Sequence, residues 1–218
     1  MPFARRDRCS TGFTLIELLT VMAIVAVLVG FAVTGFQGAR QRAAIGRAKA
    51  ELALLGQALE DYKRHYGDYP QTGAAGQAAP VATSAVGSGQ AQSLLFNALT
   101  GVYGPSNFTT RLNGPVLVDV SKFTLELALN ATTFAVPIGA PPAKPLVANA
   151  FLDPWGNRYL YFYYRPGSAA GWRAPAYVLY SAGPDGQQTA PNATTGLYTG
   201  ATQTTGTNAD NLYADKLP

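Results

Sequence analysis

The chain has 218 residues, with 16 lysines and arginines against 12 aspartates and glutamates, a formal net charge of +4 and an apolar content of 48%. That length supports one ordinary domain with a real core, and the modest charge carries no polybasic signature for nucleic acid. A single histidine, His65, and a single cysteine, Cys9, support neither a zinc site nor a Ser-His-Asp triad, so the chain is read as a non-enzyme.

Arg5, Arg6, Asp7 and Arg8 form a small basic leader, followed by Gly12-Phe13-Thr14-Leu15-Ile16-Glu17-Leu18-Leu19. From Phe13 to Phe36 the chain is mostly apolar and carries no charge except Glu17, and about 24 such residues cross a hydrocarbon core of ~30 Å as a helix. A secretory signal has a shorter apolar region with its cleavage site after it; here the plausible cut precedes the run. A lipoprotein anchor would place its cysteine after the run, whereas Cys9 precedes it. A carboxylate in lipid costs a few kcal/mol, less near a helix end, so Glu17 calls for a partner. A cut between Gly12 and Phe13 would create an α-ammonium four residues before Glu17, ~6 Å along one helix, available within one chain or between two staggered chains. Arg40, Arg42, Arg47 and Lys49 follow the span, so basic residues flank it on both sides and the positive-inside count sets no orientation.

The leader and the Gly12 to Leu19 segment resemble the cleavage and methylation region of type IV pilins and type II secretion pseudopilins. The resemblance implies cleavage after Gly12 by a membrane prepilin peptidase, methylation of the new N-terminus at Phe13, and Glu17 as the carboxylate that aligns subunits in a filament. It implies a single-pass inner-membrane protein with the N-terminus cytoplasmic and the C-terminal domain periplasmic. Cys9 would leave with the leader, so the mature chain would have no thiol and no disulfide. Thr34 stands where major subunits of the family usually carry proline, a departure that the glycines at 30, 35, 38 and 46 offset by softening the helix.

Ile45, Ala48, Leu52, Leu55, Leu59, Tyr62 and Tyr66 recur at spacings of three and four, one face of a helix that continues the apolar span. Arg47 with Glu51, and Glu60 with Arg64, stand four apart, where opposite charges meet. A helix from Phe13 to about Tyr66 would extend ~80 Å and end at Gly67 and Pro70. Residues 71–92, rich in Gly, Ala, Ser, Thr and Gln, read as a low-complexity loop. Leu94, Leu95 and Leu99 suggest a short helix over a sheet. Val116, Val118 and Val120 alternate like a strand, 122–129 fits a strand or a helical turn, and the stretch to about 148 reads as loop.

The aromatic runs Arg158 to Arg165 and Ala176 to Ser181, separated by Pro166-Gly167-Ser168, predict an antiparallel pair packed on the long helix. Asp153-Pro154-Trp155-Gly156-Asn157 and Ser181-Ala182-Gly183-Pro184-Asp185-Gly186 are turn chemistry, with Trp155 expected as a core plug whose indole N–H is bonded. Both segments, and the helix exit Tyr66-Gly67-Asp68-Tyr69-Pro70, resemble the major pseudopilin of type II secretion. That resemblance implies calcium in a C-terminal loop, for which Asp185, Asn208, Asp210 and Asn211 supply oxygens if 187–207 folds back.

The expected protein is α+β and pilin-like: a long N-terminal membrane-spanning helix packed on a small antiparallel β-sheet. Its segments are a leader (1–12), a transmembrane and assembly helix (13–36), an amphipathic continuation (37–70), a low-complexity loop (71–92) and a globular α+β head with a C-terminal loop (93–218). The resemblance implies a subunit of the periplasmic pseudopilus, a helical homopolymer whose partners are other pseudopilins, the prepilin peptidase and the inner-membrane assembly platform, with no nucleic acid. Two alternatives stand beside it: a type IV pilus subunit for adhesion, motility or DNA uptake, and a membrane-anchored periplasmic binding domain.

Overall fold

The computed structural model describes residues 13–71, 91–105, 112–126, 149–163, 171–174, 176–192, 194–199 and 203–214, without the side chains of 31–37 and 91. The leader, most of the low-complexity loop and the 127–148 stretch lie outside the described residues. The chain divides into two units, Met1–Ala43 and Ala44–Pro218.

Helix α1, Leu15–Tyr66, spans 52 residues. In the first unit its side chains from Leu15 to Val29 are all exposed. Among the described residues no helix is long and apolar enough to cross a membrane; the side chains of 31–37, which complete the apolar run in the sequence, are outside that set. In the second unit the periodicity decides burial: Ala48, Leu52, Leu55, Leu59 and Tyr62 are buried, while Ile45 and Tyr66 at the ends of the stripe are half-buried. Each fully buried aliphatic side chain contributes roughly 1.5–3 kcal/mol of transfer free energy. The helix stops where glycine allows a left-handed residue: Gly67 has φ +87°, and its N–H caps the Lys63 carbonyl at 2.7 Å.

Helix α2 is Ala91–Leu99 and contains the expected leucines, Leu94, Leu95 and Leu99. The strands are β1 (Thr124–Glu126), β2 (Ala150–Leu152), β3 (Leu160–Phe162), β4 (Val178–Ser181) and β5 (Leu212–Tyr213). They form two small antiparallel sheets, β1-β2 and β3-β4-β5. The expected aromatic pair is present, with Leu160 opposite Tyr180 and Phe162 opposite Val178. The period of two sends Tyr159, Tyr161, Tyr177 and Leu179 into the core that contains Leu52, Leu55, Leu59 and Tyr62. Leu160, Phe162, Val178 and Tyr180 face the opposite way into a second cluster with Ala174 and Ala182. Both faces are covered, which explains why β3 and β4 show no alternation with solvated positions.

Three local expectations fail for identifiable reasons. Residues 116–120 are not a strand: Leu117 N–H bonds the Leu99 carbonyl at 2.9 Å, and Asp119 then caps a 3-10 turn at Val120–Lys122 by accepting from Ser121 N–H at 3.2 Å. Arg64 pairs with Asp61 rather than Glu60, and Glu60 instead accepts from the Tyr69 hydroxyl at 2.7 Å. Trp155 is half-buried and belongs to neither core. The indole that packs against a core with its N–H bonded is Trp172, which donates to the Ala176 carbonyl at 2.9 Å.

Buried charges tie the second unit together. Glu51, only 3% exposed, receives Arg47 Nε at 2.7 Å and the Tyr159 hydroxyl at 2.7 Å. Arg158, fully buried, grips Glu126 with Nε at 2.6 Å and Nη2 at 3.0 Å. Thr124, two residues before Glu126 on the same face of β1, accepts from Arg47 Nη2 at 3.0 Å. Burial, reinforced by the bond to Glu51, pushes the Tyr159 phenol far above its ordinary range.

Candidate functional site

The start of α1 is a reciprocal cap. Thr14 donates to Glu17 Oε2 with its amide at 2.9 Å and its hydroxyl at 2.8 Å, and Glu17 N–H donates back to Thr14 Oγ1 at 3.3 Å. This is a capping box: Thr14 is the N-cap, and Glu17 stands three residues on, where its carboxylate reaches the cap's own amide. Thr20 adds a hydroxyl bond to the Glu17 carbonyl at 2.9 Å. Sequence reasoning treated Glu17 as an isolated acid in an apolar run and passed over Thr14. The T-x-x-E spacing ahead of that run was the available signal.

The cap has a chemical consequence. All three bonds use groups downstream of the Phe13 carbonyl, so loss of residues 1–12 would leave them intact. Only Oε2 of Glu17 takes part, and Oε1 has no role in the box. Phe13 is 86% exposed, and the apolar side chains that follow, among them Leu15, Ile16, Leu18 and Leu19, are exposed as well. Gly12 lies outside the described residues.

In the head, the two turn segments singled out by sequence are bonded to each other. Asp153 Oδ1 accepts from the Trp155 and Asn157 amides at 3.0 and 2.8 Å, and Oδ2 accepts from the Ser181 hydroxyl at 2.5 Å. Asn157 Nδ2 reaches the Gly183 carbonyl at 2.9 Å. Burial raises the Asp153 carboxyl above its ordinary value, against the lowering pull of the Ser181, Asn157 and Trp155 bonds.

The suggested calcium ligands separate into two roles. Asp185 and Asp210 come together, with the Asp185 amide 3.4 Å from Asp210 Oδ2. They do so because Gly183, at φ +70°, brings its turn against Asp210, where a Cβ would stand 2.6 Å from the Asp210 carbonyl. Asn208 is a clamp: its Oδ1 accepts from Thr189 N–H at 2.7 Å and its Nδ2 donates to the Thr189 carbonyl at 3.1 Å. That bidentate grip folds the 187–207 segment back, with β5 completing the sheet. Asn211 is the better oxygen donor beside Asp210, since its buried Oδ1 has no hydrogen-bond partner. Among the described residues no group of three or more His, Cys, Asp or Glu side chains is placed to hold a metal.

Residues 7–33 match the family described as the prokaryotic N-terminal methylation motif. The type II secretion system core protein G of Vibrio cholerae serotype O1 is 34% identical over 68 residues, which is 31% of this chain and 47% of that relative. The chain thus spans about half the length of the curated relative it matches. No solved structure matches. The protein carries a type IV pilin-like N-terminal methylation motif and resembles, over part of its length, the major pseudopilin of type II secretion.

Proposed function

We propose that this chain is a subunit of a type II secretion pseudopilus, cut after Gly12, methylated at Phe13 and polymerised through α1. The observation that carries this reading is the start of α1, where a capped glutamate heads a stretch whose large apolar side chains, from Leu15 to Val29, are all exposed. Apolar surface of that extent is stable only against lipid or other copies. In the inner membrane the helix anchors a monomer, with the head on the periplasmic side. In the filament the helices bundle, Glu17 Oε2 stays in its own box, and Oε1 receives the Phe13 ammonium of a neighbour. A low-dielectric bundle strengthens that attraction and penalises an unpaired charge, so the pair fixes register more than it adds stability.

Calcium belongs to the same reading. Asp185 and Asp210, joined by Asn211 Oδ1, would hold it, and the ion would tie the turn at Gly183 to the C-terminal arm. The test is a calorimetric titration of the protein with calcium, alone and after Asp210→Asn; binding that is equal in both would remove the ion from this site.

Intact mass and N-terminal sequencing of the protein from native membranes test the main reading. A chain that starts at Phe13 with one added methyl group is expected, and a chain that starts at Met1 in cells with active prepilin peptidase would overturn it in favour of an anchored binding domain. Deletion should impair protein secretion; surface filaments with intact secretion would instead assign the chain to a type IV pilus.

A further inference from the structure

The first unit ends in two cations that the assembly reading does not use. Arg40 and Arg42 are exposed, and no hydrogen bond or ion pair engages either among the described residues. The only acid described in that unit is Glu17, which its cap already occupies. If Glu17 marks one edge of a ~30 Å hydrocarbon layer, a rise of 1.5 Å per residue places Arg40 and Arg42 roughly 35 and 38 Å along the helix. That is about 5–8 Å beyond the opposite edge, within the head-group layer. The two residues are two positions apart, so they project about 200° apart around the axis. A protein partner docked on one face would meet one of them, whereas lipid surrounds the helix and meets both.

We propose that Arg40 and Arg42 form a two-sided collar that binds anionic phospholipid head groups where α1 leaves the bilayer. The proposal rests on membrane insertion of the first unit, stated above. Long arginine stems lie along the apolar surface while the guanidinium stays at the interface, and planar forks suit bidentate phosphate contact. Basic residues on the translocated side run against the orientation bias, and a head-group anchor gives them a role that offsets it.

The test uses the full chain reconstituted into vesicles of phosphatidylcholine alone or mixed with phosphatidylglycerol. Resistance to alkaline extraction reports insertion, and spin-labelled phosphatidylglycerol or phosphatidylcholine reports which lipid the protein immobilises. Insertion is expected in both vesicles, with a several-fold preference for the anionic label that weakens with salt. Arg40→Gln with Arg42→Gln should insert equally and lose that preference, each arginine accounting for up to about fivefold. Equal immobilisation of the two labels by the inserted wild type, or a preference that survives the double substitution, overturns the collar. Salt-sensitive self-association in phosphatidylcholine that the double substitution abolishes assigns the arginines to a second copy instead. Failure to insert into either vesicle defeats the membrane reading itself.

Discussion

The two units invert each other's surface logic. In the first, Leu15, Ile16, Leu18, Leu19 and Met22 stand in the open, each more than half exposed. In the second, Glu51, Asp153 and Arg158 are nearly or fully buried. Residue type alone does not decide burial; the availability of a partner does. Each of those buried groups has hydrogen-bond partners inside the second unit, while the apolar helix meets no cover among the described residues of its own unit. On the proposed reading the head holds the stability of the chain and the helix its capacity to associate, and the two should separate under mutation.

The largest expected effect is on the head. Arg158→Ala strands Glu126 beside a guanidinium-sized void and should cost about 3–5 kcal/mol, as breaking one side of a buried pair does. At roughly 2–4 °C per kcal/mol for a chain of this size, the thermal midpoint falls by about 10 °C. Arg158→Met combined with Glu126→Leu should recover most of it, because two apolar groups leave no uncompensated charge. The mirror experiment is Glu17→Ala, expected to leave the head's midpoint unchanged while filament yield collapses, read by unfolding and by electron microscopy on the same preparations. Filament yield equal to wild type would remove Glu17 from registry, and a shifted head midpoint would end the division of labour.

Gly183→Ala ranks next. The new methyl group meets the Asp210 carbonyl on a backbone already at positive φ, two penalties that together cost about 1–3 kcal/mol. The loss should appear first as faster hydrogen exchange at Thr189 and in β5, because the turn and the C-terminal arm separate there. Uniform loss across the whole head would instead make the turn part of the global core.

Much of this contrast was legible in residues. The stripe from Ala48 to Tyr62, the glycine at the helix exit and the aromatic strand pair obey periods that backbone geometry imposes. The Gly12 to Glu17 segment carried its reading in the order of its residues. What escaped depends on contacts distant in sequence or on local side-chain competition. Glu51 reads as a solvated helix charge until Tyr159, 108 residues away, is seen to bond it. The alternating valines at 116–120 describe a strand, yet Asp119 bonds Ser121 locally and turns the chain. Trp155 and Trp172 are equally plausible plugs by composition, and only tertiary packing distinguishes them. Asn208 stands out for an amide oxygen that suits calcium; that the same amide also matches a peptide edge shows only once Thr189 is beside it.

A smaller effect sharpens the first unit. Thr14→Ala removes the cap hydroxyl, and N-cap losses run to about 1 kcal/mol. The cost should be confined to the first turn, visible as faster amide exchange at residues 15–18 in micelles, with the head unaltered. Glu17 would also lose a bond that orients its carboxylate, so filament assembly should slow without the collapse expected for Glu17→Ala. A Thr14→Ala phenotype as severe as Glu17→Ala would mean that the box, rather than the charge, is what assembly requires.

The smallest effect is a slope with pH, and it lies in the bonded turns of the head. The Asp153 carboxyl is raised above its unfolded value, with burial outweighing the bonds from Ser181, Asn157 and Trp155. A group raised in the folded state contributes stability that is fully present below its unfolded pKa and is lost as pH climbs through the folded one. From about pH 4 upward the ionised Asp153 should therefore weigh against the fold. Asp153→Asn keeps an oxygen for the two backbone amides and places an amide NH2 that can donate to the Ser181 hydroxyl, so it removes the titration without emptying the turn. Urea unfolding of both proteins across that range should show the variant gaining on wild type as pH rises. A variant that instead loses ground with rising pH would show that the three donors dominate burial and hold Asp153 as a carboxylate.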